Sequence, residues 1–191
     1  MSIHKILSIL LEYPTEEMRR HHFEIRRRAA ADLDDAGLKR IDAFLSYAGS
    51  IDLIDLQAEY VQTFDQTPEH SLHLTHHVFG EDKARGPALI DLSELYRRHG
   101  LEIGTNELPD YLPLILEFTD QIPAAEACRF LADAGKVLEV LTANLERSGS
   151  PWANLLHVVV SLCGDAAPLV CGEVGAGEPA ACVAPCGGEI Q

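Results

Sequence analysis

Four histidines close together, His70, His73, His76 and His77, are the first residues here whose types and spacing can do chemistry. Imidazoles three or four residues apart can share one metal ion if the segment is helical. Glu81 and Asp82 are the nearby carboxylates. Yet H-E-x-x-H is absent, and the segment between Pro68 and Gly80 lacks a helical period. The plain reading is a loop whose imidazoles bond to backbone or line a surface. The rival is a metal-dependent helical enzyme using His73, His76, His77 and Asp82.

Cys163, Cys171, Cys182 and Cys186 are a second candidate set. The last pair, C-V-A-P-C, resembles a metal knuckle loosely, and the first pair is too widely spaced for the usual zinc pattern. Accidental spacing in a Gly-rich stretch accounts for them. Cys128 falls in a helical pattern and reads as a small buried hydrophobe. Gly175 to Ala180 matches G-x-G-x-x-A, but no strand precedes it and Pro179 opposes a helix after it, so the dinucleotide fingerprint is rejected.

Glu107, Asp110 and Glu117 form a third set. Asp110 and Glu117 share one face of a helix predicted over 109–121. No nucleophile or metal set accompanies them, so acid–base catalysis lacks its other half. In one reading Asp110 is a charge stabilised by the helix dipole and Glu117 is a solvated acid. In the other they make an acidic patch beside Leu108, Tyr111 and Leu114, which suits an amphipathic, cationic peptide.

The chain that must position these residues is acidic. Its 191 residues hold 15 Lys and Arg against 30 Asp and Glu, a net charge of -15. Nucleic acid and anionic membranes need clustered positive charge, so neither is an expected partner. No segment approaches the ~18 consecutive apolar residues of a membrane helix. The opening MSIHKILSILLEYP has a short apolar core and no small-residue cleavage site, so it reads as a helix of the fold. The expected compartment is the cytoplasm, where an odd count of five cysteines fits reduced thiols.

The periodicity is helical nearly throughout. Ser2 caps a helix over 3–11 that Tyr13-Pro14 ends. Thr15 opens a second, running to about Ala31, and a third covers 37–47. Ser50 caps a fourth over 51–64. Residues 65–83 read as a long functional loop with room for a short helix. Ala88, Leu89, Leu92, Leu95 and Tyr96 mark one face of a helix that Gly100 stops. Ala127, Leu131, Ala134, Leu138, Leu141 and Leu145, at alternating steps of four and three, predict one unbroken helix through Gly135. Ser150-Pro151 starts the last helix, which buries Trp152, Leu155, Leu156 and Val159. Residues 164–191 contain neither aromatic residues nor Lys or Arg, and read as a disordered tail. The expected architecture is all-α: a single-domain helical bundle over 1–163 and a Gly/Pro-rich tail over 164–191.

Several blocks resemble a known family. They are Leu10-Leu11-Glu12-Tyr13-Pro14, Tyr60 to Asp65, Leu72-His73-Leu74-Thr75-His76-His77-Val78-Phe79-Gly80, Arg85-Gly86-Pro87-Ala88-Leu89, Glu107-Leu108-Pro109-Asp110-Tyr111-Leu112-Pro113, Leu116-Glu117-Phe118 and Gly149 to Trp152. Together they resemble the NarJ-type assembly chaperones of respiratory nitrate reductase, within the wider TorD/DmsD chaperones. The resemblance covers about 1–163. After Gly80 the family pattern has an Asp-Ser-like step, where this chain has Glu81-Asp82-Lys83-Ala84.

The resemblance implies an all-helical chaperone with no catalytic reaction and no cofactor or metal of its own. It implies binding of the amino-terminal peptide of the apo nitrate reductase alpha subunit, held competent for molybdenum cofactor insertion. The chaperone then leaves and is not part of the final membrane complex. The family's E-x-P-D motif falls on Glu107, Pro109 and Asp110, and its histidine block on His73, His76 and Gly80. The expected peptide-binding residues are His73, His76, His77, Arg85, Glu107, Leu108, Pro109, Asp110, Tyr111, Leu114 and Glu117. The histidine loop and the 109–121 helix are expected to face each other across a groove. A scaffold whose acidic surface serves only solubility is the remaining alternative.

Overall fold

Helices form where apolar spacing and end signals agree. In a computed structural model describing residues 1–104 and 107–164, these are α1 (Ile3–Leu11), α2 (Glu16–Arg20), α3 (His22–Asp32), α4 (Asp35–Ser50), α5 (Leu53–Tyr60), α6 (Leu74–Phe79), α7 (Arg85–Arg98), α8 (Leu112–Gln121), α9 (Ala124–Arg147) and α10 (Ala153–Gly164). A π-helical turn, Val61–Asp65, extends α5, and a 3-10 turn spans Pro68–His70. Among the described residues there is no strand, only one isolated antiparallel bridge between His73 and Tyr111. The fold is all-α, and no described helix is long and apolar enough to cross a membrane. The disordered tail expected from 164, with Cys171, Cys182 and Cys186, lies outside the described residues apart from Gly164.

Ser2 caps α1 by accepting from the Lys5 N–H at 3.3 Å, Thr15 caps α2 by accepting from Met18, and Asp34 caps α4 by accepting from Gly37. α9 runs unbroken for 24 residues and buries Ala127, Leu131, Leu138, Leu141 and Leu145. Gly149, at φ 71°, turns the chain back so that α10 packs along α9 and α4. Trp152 is wholly buried against the rings of Phe44, Tyr60 and Phe64, at centroid distances of 5.8, 5.8 and 5.5 Å. α1 is buried against α8. A smaller core of Tyr96, Phe118, Ile122 and Ala127 joins α7 to α8 and α9.

Three expected boundaries are corrected. The helix after Thr15 is two helices that meet at His21, where the His21 and His22 imidazoles bond to the Glu17 and Arg19 carbonyls at 2.9 Å. Ser50 does not cap α5: its hydroxyl donates to the Tyr47 carbonyl at 2.7 Å, and Asp52 holds the N-cap position. α8 starts at Leu112 and not at Pro109, because Tyr111 is extended and paired with His73. Pro113 then falls in the first turn of α8, where its missing N–H is harmless.

Candidate functional site

The histidine loop and the segment before α8 are brought together by backbone first. The Leu74 N–H donates to the Asp110 carbonyl at 3.0 Å, and the Leu112 N–H donates to the Leu72 carbonyl at 2.9 Å. Pro109 is buried, and its carbonyl accepts from the Tyr96 hydroxyl at 2.7 Å. The two backbone bonds join the loop directly to the segment that leads into α8. They are stitched into one platform.

Asp110 is the centre of that platform and has no exposed surface. One carboxylate oxygen pairs with His73 Nδ1 at 3.1 Å. The other accepts from the Thr75 N–H at 3.2 Å, from the Thr75 hydroxyl, and from Arg85 at 3.4 Å. Arg85 Nε also donates to the Thr75 hydroxyl oxygen at 3.0 Å. Burial pushes the Asp110 carboxyl up, but the His73 and Thr75 hydrogen bonds and the charges of His73 and Arg85 hold it below the usual range. The expectation that Asp110 faces a ligand, or caps its own helix, is therefore corrected. It caps the first turn of α6 instead, through Thr75. Arg85 points its guanidinium inward at the same carboxylate.

His76 and His77 also make contacts of their own. His77 donates from Nε2 to the Ser71 carbonyl at 2.7 Å. His76 lies edge-on to the His77 ring, 6.0 Å between centroids. Asp82 accepts from the Ala84 N–H at 2.8 Å and so shapes the turn into α7. Gly80 closes α6 at φ 54°, a backbone that favours glycine. Among the described residues, no three His, Cys, Asp or Glu side chains converge to hold a metal ion. Of the residues in the metal-enzyme reading, His73, His77 and Asp82 each bond to another partner.

Beside the platform lies an acidic and aromatic surface. Glu107 is exposed, and Leu108 keeps 43% of its surface exposed although large and apolar. Tyr111 stacks obliquely on His73 at 5.3 Å, and its hydroxyl meets that of Tyr60 at 3.1 Å. Tyr60 in turn donates to the Leu11 carbonyl at 2.9 Å, tying α5 to the end of α1. Leu114 is half-buried against the small second core, and Glu117 pairs with Lys5 of α1. The Glu12 N–H donates to the Ser8 carbonyl at 3.1 Å, and its carboxylate has no hydrogen-bond partner among the described residues. Burial and the Glu117 carboxylate push it above the usual range, Lys5 offsets part of this, and Glu107 adds to it. A groove of about 480 Å³ opens here between α1 and the α2–α3 bend, lined by Ile9, Glu12, Tyr13, Met18 and Ile25. In the sequence Glu12, Tyr13 and Tyr60 stand out only as parts of motif blocks. Nothing local marks them as neighbours of Glu107, because the chain brings them together from distant segments.

The sequence profile described as "Nitrate reductase delta subunit" matches residues 30–157, a span that contains both the histidine block and the E-L-P-D-Y-L-P block. The chain belongs to that family. It is 37% identical over 163 residues to the nitrate reductase molybdenum cofactor assembly chaperone NarJ of Escherichia coli (strain K12), covering 84% of this chain and 69% of the relative. A probable chaperone of the same description, NarW of that strain, is 34% identical over 86% of this chain and 69% of its own length. The probable NarJ of Bacillus subtilis (strain 168) is 32% identical over 81% and 84%. Within this NarJ-type family member, the two motif blocks lie together as a single polar-locked unit.

Proposed function

We propose that this chain is a system-specific assembly chaperone, not an enzyme, that works on a respiratory nitrate reductase. It binds the amino-terminal segment of the apo alpha subunit in the cytoplasm, keeps it competent for molybdenum cofactor insertion, and leaves before the enzyme is complete. Kinship with chaperones so described, across a span holding both motif blocks, is the observation that carries this reading.

The geometry supports a division of labour within the proposed site. His73, Arg85, Pro109 and Asp110 hold the platform, with His76 and His77 on its helical flank. Glu107, Leu108, Tyr111, Leu114 and Glu117 supply its outer face, and the adjoining groove adds Ile9, Glu12 and Tyr13. An amphipathic helix would lay its apolar side on the tyrosines and leucines and bring Lys or Arg to the carboxylates. Such a charge pattern raises on-rate and selects cationic clients.

The test is calorimetric titration of the full chain with the nitrate reductase alpha amino-terminal peptide at two ionic strengths. The expected result is saturable binding that weakens with salt and with Glu107→Gln plus Glu12→Gln. Equal affinity for the double variant would remove these carboxylates from the site. No binding at either ionic strength would overturn the client assignment.

A further inference from the structure

A second groove lies between the α2–α3 bend and α4. It has a volume of about 660 Å³ and an apolar lining that includes Met18, Leu45 and Ala48. Phe23 stands in it with 75% of its surface exposed. Arg26 pairs with Asp42 at 2.7 Å, while Arg19 has no carboxylate partner among the described residues. The groove thus offers an unpaired cation beside an apolar surface. The corner between α4 and α5 has the converse character. Ile54 keeps 79% of its surface exposed, with Asp52 and Asp55 on either side of it in the chain. Both acids are exposed and have no ion-pair partner among the described residues. Gly49 lines the groove and Ile54 follows it by five residues, so corner and groove lie within about 18 Å of each other.

We propose that this face binds a second copy of the chain, in a two-fold dimer in which the Ile54 corner of each copy fills the groove of the other. Ile54 lies against Phe23 and the apolar lining, and Asp55 of one copy meets Arg19 of the other. Three observations favour this occupant over a foreign one. An acidic apolar knob beside a cationic apolar groove is self-complementary: a two-fold axis between them makes both contacts at once and closes the assembly at two copies. One contact covers two large apolar side chains, Phe23 and Ile54, that otherwise face water. Two copies of net charge -15 repel each other over most of their surface, so approach is confined to where cations concentrate. Arg19, Arg20, Arg26, Arg27 and Arg28 put five of the chain's 15 Lys and Arg within residues 19–28.

The test is sedimentation equilibrium of the full chain in reducing buffer. The mass should rise from one chain toward two between micromolar and sub-millimolar protein, and no further. Arg19→Glu and Asp55→Arg should each weaken the dimer by about tenfold or more, since each sets like charges opposite one another in both contacts. Asp55→Arg moves the net charge from -15 to -15 + 2 = -13, so general repulsion alone predicts the opposite result. Mixing the two variants should restore the dimer, because Glu at position 19 then faces Arg at position 55 in one contact and the original pair forms the other. Recovery on mixing also shows that both variants fold. Ile54→Ser should lose the dimer with its melting curve unchanged, as that side chain is exposed. A mass that stays at one chain, association that continues past two, or a mixture that fails to recover would each overturn the proposal.

Discussion

The platform around Asp110 and the hairpin of α9 and α10 are built from opposite materials. The hairpin is apolar: Leu131, Leu138, Leu141 and Leu145 of α9 meet Trp152, Leu155, Leu156 and Val159, all essentially buried. Such packing is non-directional and tolerates exchange among residues of similar volume. The platform instead packs short helices around a buried carboxylate whose acceptor sites are taken by named donors. Directional contacts fix relative positions, and they fail abruptly when a partner is lost. The hairpin therefore supplies stability, and the platform fixes where Leu108 and Tyr111 stand.

Breaking each region should give different signatures. Trp152→Ala removes the ring that joins Phe44, Tyr60 and Phe64, and should cost about 3–5 kcal/mol at any pH at which the protein is folded. Thermal melting measures it, and a loss below about 1 kcal/mol would show that the hairpin is not the main store of stability. Asp110→Asn should cost less, about 2–3 kcal/mol, since His73 and Arg85 keep some access to solvent and can rehydrate. That cost depends on pH. The carboxyl is depressed in the folded state, so its contribution is fully present above its unfolded value of about 3.9 and is lost as pH falls through the lower folded value. The difference in stability between wild type and Asp110→Asn should stay level from pH 7 to 5 and shrink below about pH 4. A gap that widens on acidification would contradict the pairing.

The two regions also differ in how far the sequence discloses them. α9 is legible from spacing alone because a long amphipathic helix repeats its signal over many turns. α1 and the stop at Gly100 are legible from caps and breakers. The platform is not, since its order comes from contacts between segments far apart in the chain. Pro109 looks like a helix start, yet it opens a turn closed by the Tyr111 N–H on the Leu108 carbonyl, and Tyr111, extended and bridged to His73, delays α8 to Leu112. Asp110 looks like a surface acid because acids are mostly exposed, and its burial follows only from the inward-facing Arg85 and Thr75. Motif resemblance singles these residues out but carries no information on which way they point.

Gly135 sharpens the hairpin side by adding stability. It lies inside α9, and a Cβ built there meets nothing within 4 Å. Gly135→Ala should therefore stabilise by about 0.5–1 kcal/mol through the smaller backbone entropy lost on folding. Denaturant titration should show a higher midpoint at unchanged slope. A lower midpoint would mean that this face is already occupied.

The smallest expected effect tests the outer edge of the platform. Glu12 sits among Glu117 and Glu107 with only Lys5 opposing them, and its carboxyl is raised by burial and by those neighbours. A raised acid favours its neutral form in the fold, so ionisation at pH 7 works slightly against folding. Removing the charge by Glu12→Gln should therefore raise the melting temperature at pH 7, by less than Gly135→Ala because the site is open to solvent. The gain should fade as pH falls and Glu12 protonates. The same substitution should weaken the cationic client peptide, most clearly at low salt, where attraction between exposed charges is least screened. Stability and binding then move in opposite directions, as expected where charge is kept at some cost to the fold so that it can meet a partner. A Glu12→Gln variant that melts lower and binds the peptide unchanged would place Glu12 in the scaffold and leave the client-facing role to Glu107 and Leu108.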